Sequence, residues 1–111
     1  MEQLNRVEIR GTVGNVRVQN FDDTQAANFS VVTNYVYKSR NGDAVVETCW
    51  FSVNAWKNKN MPEDLGQITK GSHVHVTGRF REREYTADDG TVRKVQEVFA
   101  YSVELLPKEV N

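Results

Sequence analysis

The sequence predicts a small all-β domain in which five strands close into a barrel and one short helix lies between strands 3 and 4. Apolar and polar side chains alternate along several segments, as expected for strands with one buried face. Turn-forming residues separate these segments. The chain has 111 residues, of which 39% are hydrophobic and 26% charged, a composition typical of one globular domain that spans residues 1–111.

The first three strands follow from this alternation. Residues 6–13 alternate with period two, and Gly14 is expected to end this strand or to bend it. Residues 28–38 are rich in β-branched and aromatic side chains, which favours a second strand. An Asn-Gly turn then leads into a third strand over residues 45–56, which is expected to pair back on the second.

A short helix and two further strands complete the prediction. Pro62 and Gly71 suit the first turn and the cap of a helix within residues 61–71. Residues 73–85 and 92–105 form the fourth and fifth strands, with an Asp-Asp-Gly turn between them. Five strands with a helix after the third is the element order of an OB-fold barrel.

Several protein classes are excluded at this stage. No apolar run approaches the ~20 residues that a membrane-spanning helix needs, and the N-terminus has no apolar signal sequence. The single cysteine, Cys49, cannot form an internal disulfide, which favours a cytoplasmic location. His73 and His75 lack further metal ligands nearby, and no glycine-rich phosphate loop occurs. We therefore predict a protein that is not an enzyme and holds no metal or cofactor.

The third strand carries the most informative pattern. One side is a plausible core stripe, formed by Cys49, Phe51, Val53 and Ala55. The other side is polar except for Trp50 and Trp56. Exposed rings on a polar strand face are typical of proteins that stack unpaired bases, at ~1–3 kcal/mol for each base. The alternative is that the two rings cover an end of the barrel or fill a subunit contact.

The fourth strand places three arginines on one face, Arg79, Arg81 and Arg83, which ends at Tyr85. Its other face carries Val74, Val76 and Phe80 as core candidates. Such arginines could follow a phosphate backbone. The alternative is a solvated face neutralised by neighbouring glutamates. Further aromatic and basic side chains adjoin the candidate site, namely Tyr35, Tyr37, Lys38, Arg40 and Lys57.

Four segments together resemble the bacterial single-stranded DNA-binding protein family over nearly the whole chain. They include a Thr-x-Trp pattern ending at Trp50 and a Lys-Gly-x-x-Val-x-Val-x-Gly pattern from Lys70 to Gly78. The segments are residues 5–14, 29–33, 47–53 and 70–79.

The resemblance implies non-sequence-specific binding and protection of single-stranded DNA in replication, recombination or repair. It implies base stacking at Trp50, Trp56, Tyr37 and Tyr85, with tyrosine in place of tryptophan at the last two. It also implies a homo-oligomer, either a tetramer or a dimer. Residues 106–111 lack the family's acidic, apolar tip, so the chain is either truncated or a short member. The alternatives are a primosomal-type accessory protein and a barrel used for protein–protein contact.

The net charge of −1 does not by itself favour a polyanionic ligand. Basic residues nevertheless follow Tyr37 and Trp56, and acidic residues cluster at the turns. We therefore expect DNA binding with a shallow salt dependence. Arg81→Glu is expected to flatten the salt dependence, and reversing the charge of Arg17, which has no ring beside it in the sequence, is expected to do less.

Overall fold

A computed structural model describes residues 1–107 and contains five long strands. The strands are β1 (Val7–Asn20), β2 (Gln25–Lys38), β3 (Ala44–Trp56), β4 (His73–Thr86) and β5 (Val92–Leu106). They close into a barrel in the order β1-β2-β3-β5-β4, which confirms the predicted architecture. Only the β3–β5 contact is parallel among these pairs. The end of the chain, on which the expectation about an acidic tip rests, lies outside the described residues.

The first strand is longer than predicted because it serves two partners. Its first half pairs with β4, and from Thr12 onward it pairs with β2. The pairing with β2 is irregular between Val13 and Val16, so the glycine between them bends the strand and does not end it. This bend lets one strand close both neighbouring edges of the barrel.

The barrel interior is filled mainly by valines from every strand. The fully buried side chains include Val13, Val31, Val53, Val74, Val76 and Val98. The prediction that Cys49 belongs to this core is wrong, because its thiol is exposed. Phe80 is likewise exposed. Both residues have the inward parity of their strands, but they lie where the β2–β3 and β4–β5 hairpins have left the barrel, so that parity no longer implies burial.

The predicted helix over residues 61–71 is reduced to a single 3₁₀ turn, Leu65–Gln67. The glycine at its centre has poor helix propensity, and burial of the flanking residues determines the local structure instead. Leu65 and Ile68 are fully buried, and Met61 is nearly so. The segment therefore closes one end of the barrel with apolar side chains.

Hydrogen bonds hold this closing segment against β2. Asp64 caps the 3₁₀ turn, and its Oδ1 accepts from the Gln25 amide at 2.8 Å and from the Gly66 N–H at 2.8 Å. These two bonds lower the pKa of Asp64 below its usual value. Because the ionised form makes the bonds, their contribution to stability is present above the unfolded pKa and declines as the pH falls through the folded value.

A bulge in β5 shapes the outer surface next to β4. Thr77 pairs with Ser102 and Gly78 pairs with Ala100, so Tyr101 is an extra residue on β5. The backbones are close here, since a Cβ atom on Gly78 would lie 2.1 Å from the Phe99 carbonyl oxygen. Glycine is therefore required at position 78.

Candidate nucleic-acid interface

An open groove of about 570 Å³ runs across the outer face of the barrel. Strand pairing builds it, because Asn28 of β2 lies between Arg17 of β1 and Asn54 of β3. The groove is lined by Arg17, Asn28, Ser52, Asn54, Trp56, Arg81, Arg83 and Glu97. It combines one large ring, two amides, one hydroxyl and three arginines with a single acid.

Trp56 lies in this groove and has one ring face supported by another aromatic residue. Its ring stacks on Phe21, with centroids 5.7 Å apart and planes inclined by 15°. Trp56 is still 42% exposed. The other ring face is thus available for a base. Phe21 was not identified from the sequence, because it lies in the turn after β1 and no periodicity marks it.

Trp50 lies on the same outer side of β3, six residues before Trp56. It is 60% exposed, and Ser52 and Asn54 lie between the two rings on this face. The ring leans over the bend in β1, where a Cβ atom on Gly14 would lie 2.6 Å from Trp50 Cζ3. The two tryptophans therefore mark two points along one exposed strand face.

Tyr35 and Tyr37 lie on the other side of the β2–β3 hairpin. Tyr37 pairs with Val45, whereas Trp50 pairs with Val32, and the odd separation along β2 places the rings on opposite faces. The two tyrosine rings are exposed and 6.2 Å apart. A nucleic-acid strand that contacts both the tyrosine rings and the tryptophan rings must pass around the hairpin.

Arg79, Arg81, Arg83 and Tyr85 share the outer side of β4, as the alternation predicts. Two of the arginines are already paired with an acid. Glu97 is only 4% exposed, and its Oε1 accepts from Arg81 at 2.8 Å and lies 3.3 Å from Arg83 Nε. This carboxylate partly offsets both positive charges, so they attract phosphate less strongly than free arginines would.

Arg79 has a different environment. Its guanidinium lies 5.1 Å from the centroid of Phe99 and 5.7 Å from that of Tyr101, and it donates to the Tyr101 hydroxyl at 2.9 Å. The Arg81 guanidinium lies 4.5 Å from the same Phe99 centroid. Neither aromatic residue of β5 was identified from the sequence, although their alternation with buried Val98 and Ala100 was a usable signal.

The three predicted lysine and arginine contacts outside β4 fall into two groups. Lys57 donates to the carbonyl oxygen of Pro62 at 2.7 Å, so its ammonium also holds the closing segment. Lys38 and Arg40 are exposed at the β2–β3 hairpin and form no ion pair within residues 1–107. Arg17, for which a smaller effect than that of Arg81 is predicted from the sequence, lines the groove.

The two histidines make local polar contacts. His75 Nε2 lies 2.6 Å from Glu8 Oε1, and His73 Nδ1 lies 3.3 Å from the Thr12 hydroxyl. In the part of the chain that the structure describes, no three histidine, cysteine or acidic residues are grouped to hold a metal ion. No helix within residues 1–107 is long and apolar enough to cross a membrane.

Comparison with known proteins gives a consistent family assignment. The Single-strand binding protein family matches residues 4–106. A relative named single-stranded DNA-binding protein 2, from Chlorobaculum tepidum, is 32% identical over 97% of this chain and 74% of its own length. A single-stranded DNA-binding protein of Neisseria meningitidis serogroup B is 31% identical over 93% of this chain, which spans 60% of that relative's length.

A solved structure supports the fold independently. It is described as Plasmodium falciparum SSB in complex with ssDNA, and it superposes with a TM-score of 0.74 at 20% identity. The match covers 96% of this chain and 98% of the other.

Proposed function

The chain belongs to the single-strand binding protein family, and on that premise we propose that it binds single-stranded DNA along the groove without reading base identity. Trp50 and Trp56 stack unpaired bases, and basic side chains along the groove contact phosphates. The protein holds and protects the strand and catalyses no reaction. Its role in replication, recombination or repair follows from the same premise.

The exposure of two tryptophan rings is the observation that most strongly supports this proposal. Two tryptophan rings lie exposed on the polar outer face of β3, and one of them opens into a groove with three arginines. A large ring left in water exposes apolar area that folding would otherwise bury. Base stacking gives those rings a partner of matching shape, and it tolerates any sequence because every base has a flat face.

Association of several copies, as a dimer or a tetramer, is part of the proposal. A barrel of this size contacts only ~4–16 nucleotides, and linking barrels raises affinity through effective concentration. We place the protein in the cytoplasm, because an exposed free thiol at Cys49 suits a reducing compartment.

Tryptophan fluorescence tests the proposal directly. Adding an unlabelled oligothymidine should quench Trp50 and Trp56, because stacked bases contact both rings. Mixed-sequence strands should bind with similar affinity. A duplex of the same length should bind far more weakly, because its bases are not available for stacking.

The opposite pattern would refute the proposal. Fluorescence that is unchanged by oligonucleotide, together with a concentration-dependent change on self-association, would assign the tryptophans to a protein interface. Tight and sequence-selective binding to duplex DNA would exclude the stacking mode.

Salt dependence tests the electrostatic part. With roughly two or three phosphates neutralised per barrel, the slope of log K against log salt should be about −1.5 to −2. Arg17→Ala should make the slope shallower by about 0.7, since this arginine lines the groove and forms no ion pair within residues 1–107. The measurement is a titration repeated at several salt concentrations.

Arg6→Ala is the matched control for this measurement. Arg6 is exposed, lies outside the groove and pairs with Glu8 at 3.8 Å, so its removal should leave the slope unchanged. Arg81→Glu is unsuitable, because a new carboxylate beside buried Glu97 would destabilise the fold itself. Equal slopes for Arg17→Ala and the unmodified protein would show that the bound DNA strand does not follow the groove beside Arg17.

A further inference from the structure

A second aromatic surface lies on β5, beside the groove. We call it the β5 platform and define it as Phe99, Tyr101 and Arg79. The two rings meet edge to face, with centroids 6.3 Å apart, and Tyr101 is 43% exposed. The exposed Tyr101 ring and the Arg79 guanidinium together provide an aromatic face and a positive charge, which are the groups that stack a base and hold its phosphate.

Tyr101 faces outward, in alternation with buried Val98 and Ala100, and it is the bulge residue of β5. It is the extra residue between the pairs Thr77–Ser102 and Gly78–Ala100. Ala100, before the bulge, and Val103, after it, are both buried. Without the extra residue, the alternation along β5 could not turn both Ala100 and Val103 inward. Bulges that re-aim a side chain are common next to binding sites.

Arg79 fixes the platform in one arrangement. Its guanidinium contacts both rings and donates to the Tyr101 hydroxyl at 2.9 Å, so the tyrosine loses little rotamer freedom when a base binds. Unlike Arg81 and Arg83, Arg79 forms no ion pair with any acid of residues 1–107. Its charge therefore remains available to an anionic ligand.

The platform is continuous with the groove on one side. Phe99 lies beside Asn54 in the β3–β5 pairing, and the Arg81 guanidinium lies 4.5 Å from its centroid. Asn54 and Arg81 both line the groove that contains Trp56. A DNA strand that leaves the groove across Asn54 therefore contacts Phe99 next.

On the other side, Tyr101 borders a depression of about 750 Å³. Its polar lining includes Lys59, Asn60, Gln67 and Glu104. The lysine offers a second cation and the amides offer donors and acceptors, while the glutamate opposes phosphate at one edge. The depression has room for at least one further nucleotide.

Resting on the proposed function, we propose that the bound single strand continues from the groove onto the β5 platform, where Tyr101 stacks a base and Arg79 contacts the adjoining phosphate. The strand then ends over the depression near Lys59. Tyr101 is thus a binding residue that extends the length of DNA held by each barrel.

A length series tests this extension. Affinities for oligothymidines of about 4 to 16 nucleotides are measured for the unmodified protein, Tyr101→Ala and Tyr101→Phe. Tyr101→Ala should match the unmodified protein on the shortest strands that bind and lose about fivefold or more on longer ones. Tyr101→Phe keeps the ring and should recover most of that loss. Trp56→Ala should weaken binding at every length.

The outcomes separate this inference from the function on which it rests. If the unmodified protein binds no oligonucleotide at any length, the proposed function fails. If it binds and Tyr101→Ala follows it at every length, only the platform is refuted. If the DNA-free Tyr101→Ala protein changes its sedimentation coefficient and keeps its affinity, the platform is a subunit contact, which also refutes the inference.

Discussion

Replacing both tryptophans with alanine should weaken binding of single-stranded DNA by ~2–6 kcal/mol, because each base–aromatic stack contributes ~1–3 kcal/mol. Trp50 and Trp56 are six residues apart on β3, which is about 20 Å at ~3.3 Å per residue. Sites this far apart act independently, so the losses should add. Anisotropy of a labelled oligonucleotide measures the affinity of the double variant, which has no tryptophan of its own.

The single variants show which ring a base contacts. Because the chain has 2 tryptophans, Trp50→Ala leaves only Trp56 to report quenching, and the converse holds for the other variant. Trp56→Phe and Trp50→Phe are matched controls, since a smaller ring should retain part of the affinity. Circular dichroism should show an intact barrel, because both rings lie on the outer face of β3 and not in the core. If the folded double variant kept the affinity of the unmodified protein, the two rings would not contact DNA and their role would be structural.

Leu65→Ala should lower the free energy of unfolding by ~2–5 kcal/mol, the usual cost of truncating a fully buried leucine. Leu65 is 0% exposed and closes one end of the barrel from the single 3₁₀ turn. The loss is a large fraction of the ~5–15 kcal/mol that stabilises a typical domain. Chemical denaturation followed by circular dichroism gives the value.

Leu4→Ala is the matched control for this stability measurement. The same side chain is removed, but Leu4 is exposed, so the change should stay within ~0.5 kcal/mol. DNA affinity of the folded fraction should be unchanged in both variants. If Leu65→Ala were as mild as Leu4→Ala, the segment between β3 and β4 would not contribute to the core.

The outer and inner faces of the strands were predictable where the strands line the barrel. Alternation along β3 correctly assigned Val53 and Ala55 to the interior and Trp50 and Trp56 to the exterior. It failed at Cys49, because side-chain parity has no information about where the barrel ends and the hairpin continues alone.

The charges of the candidate site show the same division. The sequence placed Arg79, Arg81 and Arg83 on one face, and the strand pairing bears this out. It could not show that Glu97 is buried beside two of them, because that contact depends on the register between β4 and β5. It also could not place Arg17 in the groove, since that position follows from closure of the sheet.

The number of strands, their order along the chain, the inward and outward residues of the barrel and the family resemblance were predictable from the sequence, because each of these depends on local periodicity or on contiguous motifs. The tertiary structure alone decided the bend in β1, the bulge at Tyr101, and the stacking of Phe21 on Trp56. These features arise where distant strands must meet around a closed barrel. Closing the sheet into a barrel imposes a register and a curvature, and neither can be predicted from a local segment of the chain.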